Sequence, residues 1–417
     1  MKRIYLDHAA TTYTDSRVLR VMTPYFTKNF GNASALYEEG RAAKTTLDCA
    51  RKKIADLITA RAEEIIFTSG GTESNNIAIS GVLNAALNAA DMRQKTAKPH
   101  ITTSNIEHHS VLHLIKYLEK NGLIEATYVK VKQNGIIDPR DIKNGLKENT
   151  ILVSVMYANN EIGTIQPIAE IAKIIKKFKV EAKTTAPFLH TDACQAAEYL
   201  NMNAQKLGAD LMTVNGSKIY GPKGVGFLYI KKGIKILPVM HGGGQELGIR
   251  SGTENIAGIV GLAKAFEIAQ TEKEKESRRL IALRDYFIKK LNEKIPNIVL
   301  NGDTEKRLPN NVNISILGIE GEAAELYLDA KGVSCSTGSA CASDSLDPSH
   351  VIMALNRPYE YAHGSLRFSL GKKTTKNDLD YVLKVLPPVV EKLRQLSPVD
   401  FKKLSQRTKE KIDKITS

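Results

Sequence analysis

The sequence predicts an α/β fold, a mainly parallel sheet flanked by helices, and three observations carry that prediction. Short β-branched or apolar runs recur at residues 65–67, 101–103, 151–156, 188–190 and 211–214. Helical patterns fill the stretches between them, and such alternation belongs to sheets covered by helices. A chain of 417 residues, 42% hydrophobic and 25% charged, is also long enough to bury a large core, as two domains or one large α/β unit. Ligands of such sheets sit beyond the carboxyl ends of the strands, so the loops after these runs are where chemistry is expected.

Composition narrows the class further. No cationic segment followed by an apolar stretch and a small-residue cleavage site comes after Met1, and no apolar run approaches membrane-spanning length. A cytoplasmic protein without membrane contact is expected. Four cysteines, Cys49, Cys194, Cys335 and Cys341, are too few for a disulfide scaffold at this size and match no usual zinc spacing. Free thiols and no metal are therefore expected. The formal net charge of +14 suits an acidic partner, yet the lysines are spread along helix-like segments and are not gathered with aromatics in one stripe. Direct nucleic-acid binding is not expected, and the denser basic stretch at 401–417 reads as a docking tail or a frayed helix.

Taken in order, Cys49 lies within a helical pattern and reads as core. Residues 67–76, Phe-Thr-Ser-Gly-Gly-Thr-Glu-Ser-Asn-Asn, run from a strand through two glycines into a helix start. Glycine lets backbone N–H groups approach an anion closely and the helix dipole adds attraction, so Gly71 and Thr72 can hold a phosphate. A plain N-cap with a glycine turn explains the same residues. No Gly-Lys-Ser/Thr follows, which excludes a Walker P-loop. Residues 91–99 are polar and read as a surface loop.

Asp192, in His190-Thr191-Asp192-Ala193-Cys194-Gln195, ends an apolar run. A carboxylate there either meets a cation, such as a protonated pyridine nitrogen, or caps a helix; Cys194 beside it reads as lining the same pocket. Lys218 follows the next strand, in Asn215-Gly216-Ser217-Lys218-Ile219-Tyr220-Gly221-Pro222-Lys223-Gly224. A lysine fixed between Gly and Pro suits a Schiff base with an aldehyde cofactor, with Asn215 and Ser217 as donors to its phosphate. Lys223 is the rival, in a turn that exposes it. From Ile256 the pattern changes to a long helical stretch with Leu280, Leu283, Tyr286, Phe287 and Leu291, then strand candidates at 298–300 and 312–316, and a second domain is expected to begin. Residues 333–344 are nearly devoid of large side chains, so mobility is expected there. Cys341 in their middle is the candidate exposed nucleophile, while Cys335, where the preceding strand should still run, reads as structural.

In this order the motifs resemble the cysteine desulfurases, the sulfur-mobilising branch of the class V aminotransferase family, in the subgroup serving iron–sulfur assembly and tRNA thiolation. The resemblance covers essentially the whole chain. It includes Tyr5-Leu6-Asp7-His8-Ala9-Ala10-Thr11-Thr12, Asn159-Asn160-Glu161-Ile162-Gly163, His241-Gly242-Gly243-Gly244-Gln245-Glu246, Arg250-Ser251-Gly252-Thr253-Glu254-Asn255 and Ser365-Leu366-Arg367-Phe368-Ser369-Leu370-Gly371. It implies the type I fold of PLP-dependent transferases: a large domain at 15–260 on a seven-stranded sheet, and a smaller α+β domain from 1–14 and 261–417 with the basic tail.

The resemblance further implies pyridoxal 5'-phosphate (PLP) as cofactor, carried by Lys218. Gly71, Thr72, Asn215 and Ser217 would bind its phosphate, His108 would stack on the ring, Asp192 would meet the ring nitrogen and Gln195 the ring hydroxyl. Asn160 and Arg367 would hold the substrate carboxylate. Thr253 would reach the phosphate of a neighbouring subunit, which implies a homodimer. Two positions depart from the family pattern: Ser217 stands where a histidine usually precedes the lysine, and Leu247 where arginine is common. The activity implied is removal of sulfur from L-cysteine, leaving L-alanine and a persulfide on Cys341. Lys218 would take the α-proton, His108 would carry a proton to the leaving side, and an acceptor protein would receive the sulfur. A class V aminotransferase or lyase without a sulfur carrier, and a basic scaffold on a degenerate enzyme fold, are the rival expectations.

Overall fold

The computed structural model describes residues 3–89, 98–337 and 348–396. In chain order its strands are β1 (Ile4–Tyr5), β2 (Ile65–Thr68), β3 (His100–Ser104), β4 (Glu125–Val129), β5 (Thr150–Ser154), β6 (Phe188–Asp192), β7 (Leu211–Asn215), β8 (Gly226–Ile230), β9 (Ile298–Leu300), β10 (Asn311–Ile316), β11 (Val333–Ser334) and β12 (Ser365–Ser369). Seven of them make the large sheet, in the order β2-β8-β7-β6-β5-β3-β4. Only β8 runs against its neighbours; the remaining pairs are parallel. The mainly parallel sheet expected from the alternating runs is present.

The runs are apolar on both faces because both faces are covered. Along β2, Ile65 and Phe67 enter one core cluster and Ile66 the opposite one, the two-residue period of a strand. Helices Gly71–Asn88 and His109–Lys120 cover one face with Ile77, Val82, Val111 and Ile115, while Glu38–Ile58 and Ile168–Glu181 cover the other with Leu47, Ile54, Ile171 and Ile175. Within Glu38–Ile58 the buried stripe runs through Ala43, Leu47, Ala50, Ile54 and Ile58. Cys49 is exposed, which corrects its expected core position: it stands one residue, about 100° of rotation, from Ala50 and so off the stripe.

A smaller antiparallel sheet, β12-β10-β9, and the parallel pair β1-β11 complete the chain. The helix Ile256–Lys294 joins the two parts, burying Ile259, Leu262 and Phe266 in its first half and Leu280, Phe287 and Leu291 in its second. The boundary expected at 260 falls inside this continuous helix. Chain ends meet at β12: Ser369 N–H donates to Leu6 O (2.7 Å), and Ala9 N–H donates to Ser369 Oγ (2.8 Å). Cys335 is buried, and burial pushes its thiol up, in keeping with a structural cysteine. Cys341, the polar residues 91–97 and the basic stretch at 401–417 lie outside the described residues.

Candidate active site

Loops at the carboxyl ends of β2, β3, β5, β6 and β7 converge on one cavity of about 270 Å³, closed from the other side by Ala9, Ala10, His350 and Arg367. After β2, Gly70 adopts a φ of 147° and Gly71 opens the helix Gly71–Asn88. Ser74 N–H makes the first helical bond, to Gly70 O, so the amides of Gly71 and Thr72 precede the ladder and remain at the helix's positive end. A Cβ on Gly71 would lie 2.8 Å from Cys194 Sγ, which is why only glycine lets this turn lie against the loop after β6.

Asp192 closes β6 and is buried. Both its oxygens accept hydrogen bonds, Oδ2 from Asn75 Nδ2 (2.8 Å) and Oδ1 from Cys194 N–H (3.0 Å). Cys194 lines the cavity but is no nucleophile: burial first, then the neighbouring Asp192, pushes its thiol well above the ordinary value. His108 caps the helix His109–Lys120, its Nδ1 accepting Ser110 N–H (3.1 Å). Burial pushes this imidazole below its usual value; Asp192 opposes that and Lys218 adds to it.

Lys218 ends a short 3₁₀ turn after β7, and its Nζ donates to the carbonyls of Ala9 (2.9 Å) and Ala10. Gln195 Nε2 donates to the same Ala9 carbonyl at 2.9 Å. Ser217 directs its hydroxyl to Asn215 Oδ1 (3.2 Å) and is not in the cavity wall. Arg367 rises from β12, with one Nη on Asp7 Oδ1 (2.7 Å) and the other on Asn160 O (3.1 Å). Its buried Nε has no partner among the described residues.

Two acids stand behind this end of the cavity. Burial raises Glu107 to about 8 and Glu161 to about 7, so both keep their proton well above the ordinary carboxyl range. Glu161 accepts from Ser349 Oγ (2.5 Å), and the His350 ring bonds to Glu107 O (3.0 Å). On the other flank Ser336 and Arg367 exchange backbone bonds, 3.1 and 2.7 Å long. The described residues on both sides of 338–347 are thus tied to the wall that holds Arg367 and Asn160.

Nine of the residues read from the sequence share the cavity: Gly71, Thr72, His108, Asn160, Asp192, Gln195, Asn215, Lys218 and Arg367. Thr253 does not; it lines a separate recess with Thr68, Ser69 and Arg250. Leu247, exposed, holds a left-handed φ of 60°, and nothing in the structure explains it in place of arginine. Asp7, Asn75, Glu107 and Ser110 escaped the sequence reading. All four lie inside or beside motifs that drew notice, but each also has a partner distant in sequence, Arg367 for Asp7, Asp192 for Asn75, Met156 for Glu107 and Asn75 for Ser110, and no local pattern marks those.

An anion-holding helix start, a fixed amine, a bonded acid and an imidazole in one cavity of this fold define a PLP-binding class of enzyme. The model of the class-V aminotransferase family matches residues 4–382, and the chain belongs to that family. Its members are PLP-dependent, and the groups just described fit that cofactor: Gly71, Thr72 and Asn215 would hold its phosphate, His108 and Asp192 its ring and Lys218 its aldehyde. Cysteine desulfurase IscS of Dictyoglomus turgidum is 51% identical over 399 residues, 95% of this chain and 97% of the relative. Among solved structures, a NifS-like protein superposes with a TM-score of 0.85 at 34% identity, over 94% of this chain and 100% of the other. SspA in complex with cysteine gives a TM-score of 0.74 at 32% identity, over 88% and 98%.

Proposed function

We propose that the protein is a PLP-dependent cysteine desulfurase that moves sulfur from L-cysteine to Cys341 and leaves L-alanine. The observation that carries this is the meeting of Lys218, Asp192 and Arg367 in one cavity, with Ser336 and Ser349, on either side of the segment that contains Cys341, bonded to its substrate end. When bound, PLP supplies an electron sink that stabilises negative charge at the substrate α-carbon. Arg367 and Asn160 hold the substrate carboxylate. Lys218 Nζ takes the α-proton, and the carbonyls of Ala9 and Ala10 fix where that amine rests. Asp192, whose oxygens accept from Asn75 Nδ2 and Cys194 N–H, would pair with the ring nitrogen. The Cys341 thiolate attacks the substrate sulfur: the S–S bond forms as the Cβ–S bond breaks, and the three-carbon remainder is protonated and leaves as alanine.

The reading includes a homodimer with Thr253 acting across the interface. Within one chain Thr253 is in a recess of its own, and Phe30, Leu36 and Tyr37 present apolar side chains 72%, 89% and 60% exposed. The persulfide then passes to an acceptor protein for iron–sulfur cluster assembly or tRNA thiolation, in the cytoplasm; among the described residues no helix is long and apolar enough to cross a membrane.

The test is incubation of the PLP-loaded protein with L-cysteine, measuring alanine and the mass of the Cys341 peptide. Stoichiometric gain of one sulfur on that peptide is expected. Cys341→Ser should keep the visible absorption and lose sulfide release, and Lys218→Ala should be colourless. Unchanged turnover in Cys341→Ser rejects the reading in favour of an aminotransferase or lyase.

A further inference from the structure

Behind the cavity wall a hydrogen-bonded chain runs from the acid to the imidazole. Asn75, 0% exposed in the helix Gly71–Asn88, uses both hydrogens of Nδ2, one on Asp192 Oδ2 (2.8 Å) and one on Ser110 Oγ (2.8 Å). Ser110 Oγ lies 2.8 Å from His108 Nδ1, and the Ser110 backbone N–H donates to that same nitrogen at 3.1 Å. The backbone end of the chain fixes the ring. A carboxylate only accepts, so the amide of Asn75 turns its NH₂ toward Asp192, and the same NH₂ donates to Ser110 Oγ. That hydroxyl keeps one lone pair and its hydrogen, so this end alone allows Nδ1 either role. At the other end a backbone N–H only donates, so Nδ1 must accept, its lone pair shared between that N–H and the hydroxyl hydrogen. The outcome is an imidazole whose hydrogen is on Nε2.

We propose that Asn75 and Ser110 are positioning residues that hold His108 as the neutral Nε2–H tautomer and couple that tautomer to the charge on Asp192. A ring held in this way cannot release its Nε2 proton without becoming an imidazolate. It cannot gain one at Nδ1 without setting N–H against the Ser110 amide. His108 is therefore a fixed hydrogen-bond donor, not a proton carrier, and the mobile proton is left to Lys218. Burial of the ring acts in the same direction, against the charged form. Asn75 Oδ1 has no partner among the described residues, a cost to folding that the two donated bonds offset. The inference deepens the desulfurase reading and rests on it for what His108 does toward cofactor and substrate, but not for the tautomer.

Nitrogen-15 spectroscopy of the full chain labelled at histidine, with and without PLP, tests it at pH 7. The His108 ring should show the neutral Nε2–H pattern in both states. Ser110→Ala and Asn75→Ala should shift the tautomer ratio toward Nδ1–H by roughly tenfold, the weight of one neutral hydrogen bond. Ser110→Thr, which keeps the hydroxyl, should retain the parent pattern. In the loaded protein the pH titration of the visible band should move with the same two variants. A parent ring with hydrogen on Nδ1, or charged at pH 7, overturns the proposal, and so does a Ser110→Ala spectrum identical to the parent's. Should Asn75→Ala not fold, Ser110→Ala decides alone. Because the measurement needs no turnover, lack of desulfurase activity would sink the functional reading without touching this one.

Discussion

Arg367 is gripped from two sides before any substrate arrives. Asp7 takes one Nη and the Asn160 carbonyl the other, so the plane of the guanidinium is set, and the N–H groups these two contacts leave over are what a carboxylate can use. Lysine can reach the same place but has no planar fork. Arg367→Lys should therefore cut kcat/KM for cysteine by about 10- to 100-fold, mostly through KM, with the visible spectrum of the bound cofactor retained; steady-state kinetics at varied cysteine checks it. The arginine was legible in its motif, whereas Asp7 was not, because the pair is separated by 360 positions and only the closed fold joins them. Cys49 shows the opposite failure: its helix was legible, but the phase of the helix was not, since small residues and lysines on both sides blur the stripe.

Among the elements, the loop after β2 and the loop after β6 are packed so closely that one methyl group separates function from its loss. Gly71→Ala would press a Cβ to within 2.8 Å of Cys194 Sγ and displace the amides that would hold the phosphate. The expected result is a tenfold or greater loss of PLP affinity, about 1.4 kcal/mol or more. Adding Cys194→Ala should restore most of it, and equilibrium binding of PLP to both variants measures the difference. Strands that are buried on both faces declared themselves as apolar runs, and β2, β3, β5, β6 and β7 stand where those runs stand. β4 did not, because it is the sheet's edge and buries only Val129 fully; β8 did not, because five apolar residues directly after Gly-Pro-Lys-Gly carry no period of their own.

For the whole molecule, buried acids set how stability follows pH. Burial lifts Glu107, Glu161 and Glu198 to about 8, 7 and 8, from a usual 4.5. The unfolded chain gives up these protons near 4.5 while the native protein keeps them, so their contribution is full below 4.5 and is lost as pH rises toward 8. His100, His190 and His350, held down to about 4 chiefly by burial, act the other way: their contribution is full above 6.5 and is lost as pH falls toward 4. Above pH 6.5 only the acids act. Glu198 lies outside the cavity and keeps one oxygen without a partner among the described residues, so Glu198→Gln should raise the melting temperature by a few degrees at pH 8 and hardly at all at pH 5, read by calorimetry.

The carbonyls that cradle Lys218 belong to Ala9 and Ala10, and the stretch that presents them is pinned to Ser369. A ribosome that has already released the entire large sheet has therefore made a protein whose Lys218 cradle still lacks the strand that pins it. The resting place of that amine is set only once translation passes β12, and a message cut short between β8 and β12 yields a chain with every strand of its central sheet and a cradle without its anchor.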